Sequence, residues 1–127
     1  MNHILDRFRL HGRTAIVTGG GTGLGREMSL ALSKAGADLV IAGRRPEPLR
    51  EVADLIEGGG GNVRHVQTDI TDSVQVNRLF HITMEDFGKV DILVNNAGMV
   101  ANQGGKPIWE ISDREWSEVV GSNLTGS

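Results

Sequence analysis

An apolar run, Thr14-Ala15-Ile16-Val17-Thr18, breaks directly into Gly19-Gly20-Gly21-Thr22-Gly23-Leu24-Gly25, and the chain beyond takes up a helical rhythm. No other stretch restricts the fold so tightly. A strand that turns through glycines straight into a helix leaves the helix's first N–H groups without intrahelical partners. Glycine lets a ligand come close to the backbone, and the positive end of the helix dipole faces it. Such a bend is a place to hold a phosphate. The alternative is a glycine-rich turn that carries no ligand.

The same alternation recurs along the chain. After the bend, Leu24, Met28, Leu32 and Ala35 keep helical spacing, with Gly36 where a helix end belongs. Leu39 to Ala42 reads as a second buried strand, ending at Gly43-Arg44-Arg45, and Pro46 opens a helix whose face is Leu49, Val52, Ala53 and Ile56. Gly58 to Gly61 follows no strand, so it is read as a helix-to-strand connection and not as a second phosphate loop. Val63 to Thr68 is a less apolar strand, suited to a sheet edge. Asp72 and Gln75 have the spacing of a capping-box variant before a helix through Val76, Leu79, Phe80, Thr83 and Phe87. A fourth strand, Val90 to Val94, leads into Asn95-Asn96-Ala97-Gly98. A loop with Pro107 follows, then Ser112-Asp113-Arg114-Glu115, a capping box opening a last helix through Trp116, Val119, Val120 and Leu124.

Strands and helices in alternation predict an α/β protein: a doubly wound parallel sheet. Right-handed crossovers give the strand order 3-2-1-4, with a ligand crevice between strands one and four. At 127 residues this is one domain's worth of chain. A net charge of −3 gives no basic surface for nucleic acid or an anionic membrane. No apolar run approaches the roughly 18 residues of a membrane span, and the polar start, with Phe8 and Leu10 expected beneath the first strand, lacks a signal peptide's apolar core. Cytoplasm is the default location. Cysteine is absent, which removes thiolate-metal sites, and His3, His11, His65 and His81 show no metal spacing. Trp109 and Trp116 are expected in the core.

In that crevice, backbone groups of Gly19, Gly21, Thr22, Gly23 and Leu24 are candidates to hold a pyrophosphate and its neighbouring ribose, while the Thr18 hydroxyl is expected to hold the loop. The end of strand two selects the dinucleotide. A carboxylate there would repel a 2′-phosphate, but the residues are Arg44 and Arg45. Arg44 offers a charge-assisted contact of about 1.5–3 kcal/mol, roughly ten- to a hundredfold in affinity. That favours NADP, with NAD second. The alternative is a pair of solvated arginines at a helix start. Asp69 is a candidate to accept an adenine amino group beside Ile70, and Asn123 falls on the apolar face of the last helix, where an unpaired amide is costly.

The loop Thr18-Gly19-x-x-x-Gly23-x-Gly25 with Asn95-Asn96-Ala97-Gly98 resembles the short-chain dehydrogenases/reductases, over essentially all of the chain. The resemblance implies a Rossmann fold, an NAD(P)-dependent oxidoreductase, a small carbonyl or alcohol substrate, and a homo-oligomer, dimer or tetramer. It supports Asp69 in the adenine pocket, gives Asn95 a mainly structural task, and places Asn96, Ala97 and Gly98 nearer the cofactor ribose. It gives Asn123, in the setting Asn123-Leu124-Thr125-Gly126, a catalytic place in a proton relay. The segments also look like the 3-oxoacyl-carrier-protein reductase and gluconate 5-dehydrogenase branches.

The family's general acid/base is a tyrosine in a Tyr-x-x-x-Lys pair, and this sequence has no tyrosine; Lys34, Lys89 and Lys106 match nothing in that motif. The expectation is therefore the cofactor-binding half of an oxidoreductase, inactive and poorly stable by itself. A non-catalytic nucleotide-binding or interaction module is the alternative.

Overall fold

In the computed structural model, which describes residues 3–98 and 108–127, four strands form one parallel sheet. They are β1 (Thr14–Thr18), β2 (Asp38–Gly43), β3 (Val63–Gln67) and β4 (Ile92–Val94), in the order β3-β2-β1-β4. The helices are α1 (Gly23–Lys34), α2 (Pro46–Gly58), α3 (Ser73–Phe87) and α4 (Asp113–Val120). The predicted order and alternation are those observed. The expected loop with Pro107, and Lys106 within it, lie outside the described residues. Among the described residues, no helix is long and apolar enough to cross a membrane.

The β-branched and aliphatic runs of β1 and β2 suit strands buried on both faces. Their side chains alternate between two cores. Ala15, Val17, Leu39 and Ile41 point toward Leu49, Val52, Ala53 and Ile56 of α2. Ile16, Val40 and Ala42, with Val66, point the other way, toward Leu79 of α3 and the partly buried Ile82, Phe87 and Val90. Two helix layers on opposite faces make the sheet doubly wound. The central strands are sealed, whereas the edges are wet: in β3 only Val66 is buried, and Leu93 of β4 is 46% exposed.

Several expectations yield to packing. The buried face of α1 runs through Gly25 and Ser29, and Leu24 is 77% exposed. Small residues let this helix lie close to the glycine bend; of the apolar rhythm Leu24 turns outward, while Leu32 still packs on the core. Of the leading residues, Leu10 packs on the core, but Phe8 is exposed and closes a short 3-10 turn, Ile4–Phe8. Trp109 and Trp116 are exposed, not core, and α4 buries none of its residues. An apolar stripe on a helix records that the stripe suits a partner; it does not say that the described elements supply one.

The opposite end of the sheet is fastened by Asp91. Its Oδ2 accepts from the Thr14 amide at 2.8 Å, and Arg13 and Lys89 lie 3.6 and 3.3 Å from its carboxylate oxygens. The Lys89 ammonium also donates to the Gly12 carbonyl. The Thr14 amide, above all, holds this carboxyl below the usual aspartate range against the opposing effect of burial, with Lys89 and Arg13 adding to the lowering.

Candidate functional site

The ladders bring the carboxyl ends of all four strands to one edge. Thr18 pairs with Ala42, Gly43 with Gln67, and Val17 with Val94. At the centre of that edge the Thr18 hydroxyl ties two loops together. It donates to the Val94 carbonyl at 3.3 Å and accepts from the amides of Asn96 and Ala97 at 3.1 and 3.0 Å. The expected loop-holding role of Thr18 is observed. The structural task expected of Asn95 is carried out by Asn96. Asn96 is the pin, its Nδ2 donating to the carbonyls of Thr18 and Gly19 at 3.1 and 3.2 Å, and Asn95 is exposed.

The glycine bend lies against this pin. Gly19 has φ +66°, and a Cβ there would stand 2.9 Å from the Asn96 Nδ2. A Cβ on Gly25 would come within 2.0 Å of the Gly19 carbonyl oxygen, so α1 can start here only with hydrogen at that position. The helix start is polarised and uncapped. Thr22, its extended N-cap residue, makes no side-chain cap hydrogen bond, and its first turn has no acid. By contrast α3 is capped by Asp72, and α4 by the Ser112–Glu115 box, at 3.1 and 2.7 Å. A helix start left with unanswered donors and a positive dipole end suits an anion.

A cleft of about 1020 Å³ opens at this edge. Its walls include Gly19, Gly21, Thr22, Arg44, Arg45, Asp69, Ile70, Asn96, Ala97 and Gly98. These come from four separate loops, and each was a candidate from sequence. Gly23, Leu24 and Asn123 do not line it. Gly23, at φ +52°, has open space where a side chain would be, and Leu24 turns outward from the first turn of α1. Asn123 is exposed and not on a buried face, because neither α4 nor the π-type turn that follows it, Gly121–Thr125, buries any of its residues. Its Oδ1 nevertheless lies against Gly98, 2.9 Å from where a Cβ would sit, so the Asn123 turn abuts the Asn95–Gly98 loop.

Electrostatics differ around the cleft. Arg44 and Arg45 are exposed at its mouth. Across from them, Asp69 Oδ1 accepts from the Thr71 hydroxyl at 2.6 Å and the Thr71 amide at 2.9 Å. Those two bonds hold the Asp69 carboxyl below its ordinary value, against slight burial and with a smaller contribution from the Arg44 charge. The Asp69 amide is itself held by Gln75 Oε1 at 2.8 Å, and Gln75 Nε2 reaches Asp72 Oδ2 at 3.0 Å. The expected capping pair is thus present in altered form, Gln75 fastening the loop and not the cap backbone. Sequence reasoning missed Thr71 and Gln75 in this setting, and also the α4 wall of Arg114, Ser117 and Glu118. The capping-box spacing was the available signal for Gln75; none marked Thr71 or the α4 wall.

A parallel sheet of order 3-2-1-4, with an uncapped glycine-lined helix start where the order reverses, defines a nucleotide-binding α/β fold. The family model described as short chain dehydrogenase matches residues 13–127, and the chain belongs to that family. It is 37% identical over 122 residues to a short chain dehydrogenase/reductase of Aspergillus oryzae, covering 95% of this chain and 46% of that one. A short-chain type dehydrogenase/reductase from Mycobacterium marinum superposes with a TM-score of 0.92 at 34% identity, over 98% of this chain and 49% of that one. A short chain dehydrogenase/reductase from Burkholderia phymatum, solved in complex with NAD, superposes with a TM-score of 0.87 at 36% identity, over 94% of this chain and 41% of that one. The chain therefore spans less than half the length of each of these relatives.

Proposed function

We propose that these residues form the dinucleotide-binding part of an oxidoreductase that prefers NADP(H) and acts on a small carbonyl or alcohol. One observation carries the reading: the N-terminus of α1, without a side-chain cap or an acid, opens into a cleft whose mouth bears Arg44 and Arg45. The residues fit such a ligand from end to end. Backbone amides from Gly21 to Leu24 would receive the pyrophosphate, Arg44 with weaker help from Arg45 the 2′-phosphate, and Asp69 with Ile70 the adenine. Asn96, Ala97 and Gly98 would lie along the nicotinamide-side ribose, and Asn123 would hold a water of the proton relay next to Gly98.

The chemistry supplied by a bound nicotinamide is hydride transfer to or from carbon. These 127 residues include no tyrosine, and we assign the accompanying proton transfer to a Tyr-x-x-x-Lys pair outside this sequence. Substrate choice follows the same division, with 3-oxoacyl-carrier-protein or sugar-acid ketones as the leading classes. A homo-oligomer is the assembly proposed.

The Burkholderia relative was solved with NAD. The preference proposed here is for NADP because this chain offers guanidinium groups, not a carboxylate, after β2. Calorimetric titration of the protein and of Arg44→Asp with NADP and NAD tests it. NADP should bind at least tenfold tighter than NAD, and the substitution should reverse the order. Equal affinities in the parent protein would remove the NADP assignment.

A further inference from the structure

We propose that Gln67, which lies outside the cleft, is a positioning residue that sets the dinucleotide preference by fixing the backbone of Arg44. This rests on the reading of Arg44 as the 2′-phosphate contact.

The backbone ladder between β2 and β3 ends at the pair Gly43–Gln67, with the Thr68 amide donating to the Gly43 carbonyl at 2.8 Å. On the other side, β1 is in register with β2 only as far as Ala42, whose carbonyl accepts from Gly20 at 3.2 Å. Arg44 thus follows a strand whose neighbours have both turned away. Its carbonyl accepts from the Gln67 side chain, Nε2 to O, at 3.0 Å. That amide acts as one further rung of the ladder, made by a side chain where the backbone has run out.

The rung has a directional consequence. Arg45 is still extended, at φ −102° and ψ 120°, and Pro46 begins α2 immediately after it. Without that bond the Arg44–Arg45 peptide plane could shift between β2 and α2, carrying with it the Cα positions from which both guanidinium groups reach toward the cleft mouth. With the carbonyl held on the β3 side, that plane is fixed, and a planar guanidinium recognises phosphate only when its fork is aimed. Gln67 is itself exposed and does not line the cleft, so it acts through Arg44 and not by touching the ligand.

The test compares adenosine 2′,5′-bisphosphate with 5′-AMP, two probes that differ by the phosphate in question, by calorimetric titration of the parent protein, Gln67→Met and Gln67→Glu. Met keeps length and removes the donor. Glu keeps shape, removes the donor and adds a negative charge near the phosphate. The expected result is a loss of about fivefold in bisphosphate affinity for Gln67→Met, a larger loss for Gln67→Glu, and AMP affinity within twofold of the parent for both. Equal losses for the two probes would mean that Gln67 supports the fold and not the preference. A parent that favours the bisphosphate, with Gln67→Met favouring it as strongly, would overturn this inference and leave the Arg44 reading intact. A parent that does not distinguish the probes would overturn both.

Discussion

Replacing Thr18 by valine tests the knot at the centre of the site. Valine matches threonine in shape and strand preference, so the substitution isolates the hydroxyl. In the parent this group satisfies the Val94 carbonyl and the amides of Asn96 and Ala97. The carbonyl bond is the longest, at 3.3 Å, and its loss is the least costly. The Ala97 amide loses its acceptor, at about 1–3 kcal/mol if sealed from water, whereas the Asn96 amide keeps the Val94 carbonyl at 3.0 Å. Ala97 is half-buried, which puts the cost toward the lower end, about 1–2 kcal/mol in all. For a chain of this size that is a fall of about 5 °C in Tm. Urea unfolding of the parent, Thr18→Val and Thr18→Ser measures it. Serine keeps the hydroxyl and should lose no more than a buried methyl, about 1 kcal/mol. If valine is as stable as serine, the hydroxyl does not join the loops as described.

Other perturbations have equally definite outcomes. Gly25→Ala places a methyl where the Gly19 carbonyl already stands, so the bend must open; we expect at least 3 kcal/mol of destabilisation in the same unfolding assay and loss of nucleotide binding. Gly58→Ala, with open space around it and no left-handed backbone, provides the comparison and should leave binding unchanged. Asp91 and Asp69 have depressed pKa values, so each contributes stability that is complete above the ordinary aspartate value of about 4 and is lost as pH falls through the lower folded-state value. Asp91→Asn should flatten the acid limb of a Tm-against-pH curve, and an unaltered limb would contradict that account. Because Arg44 and Arg45 are exposed, raising salt from about 0.05 to 0.5 M should weaken NADP binding several-fold more than NAD binding.

Much of the architecture could be read in the chain because its signals are local. Apolar runs such as Ala15 to Val17 and Leu39 to Ala42, with helical rhythms between them, determine the winding, and the polar Arg64 and His65 mark β3 as an edge. The glycine bend was legible for the same reason: strand, turn and helix are contiguous. What stayed hidden depends on distant partners. The pairing of Gln67 with the Arg44 carbonyl joins residues from separate strands. Which of two adjacent asparagines faces the sheet depends on the phase at which β4 ends. The stripe on α4 was visible, but its exposure was not, since periodicity describes a surface and leaves its cover unspecified.

Binding at the glycine bend is most directly measured by the amide chemical shifts of the protein as NADP is added. The amides of Gly21 to Gly25, with those of Arg44, Asp69 and Asn96 to Gly98, should move in a saturable way, while Gly58 to Gly61 at the other end of the sheet stay fixed. Saturable shifts that leave the bend untouched, or that centre on Gly58 to Gly61, would contradict the placement of the nucleotide at the start of α1.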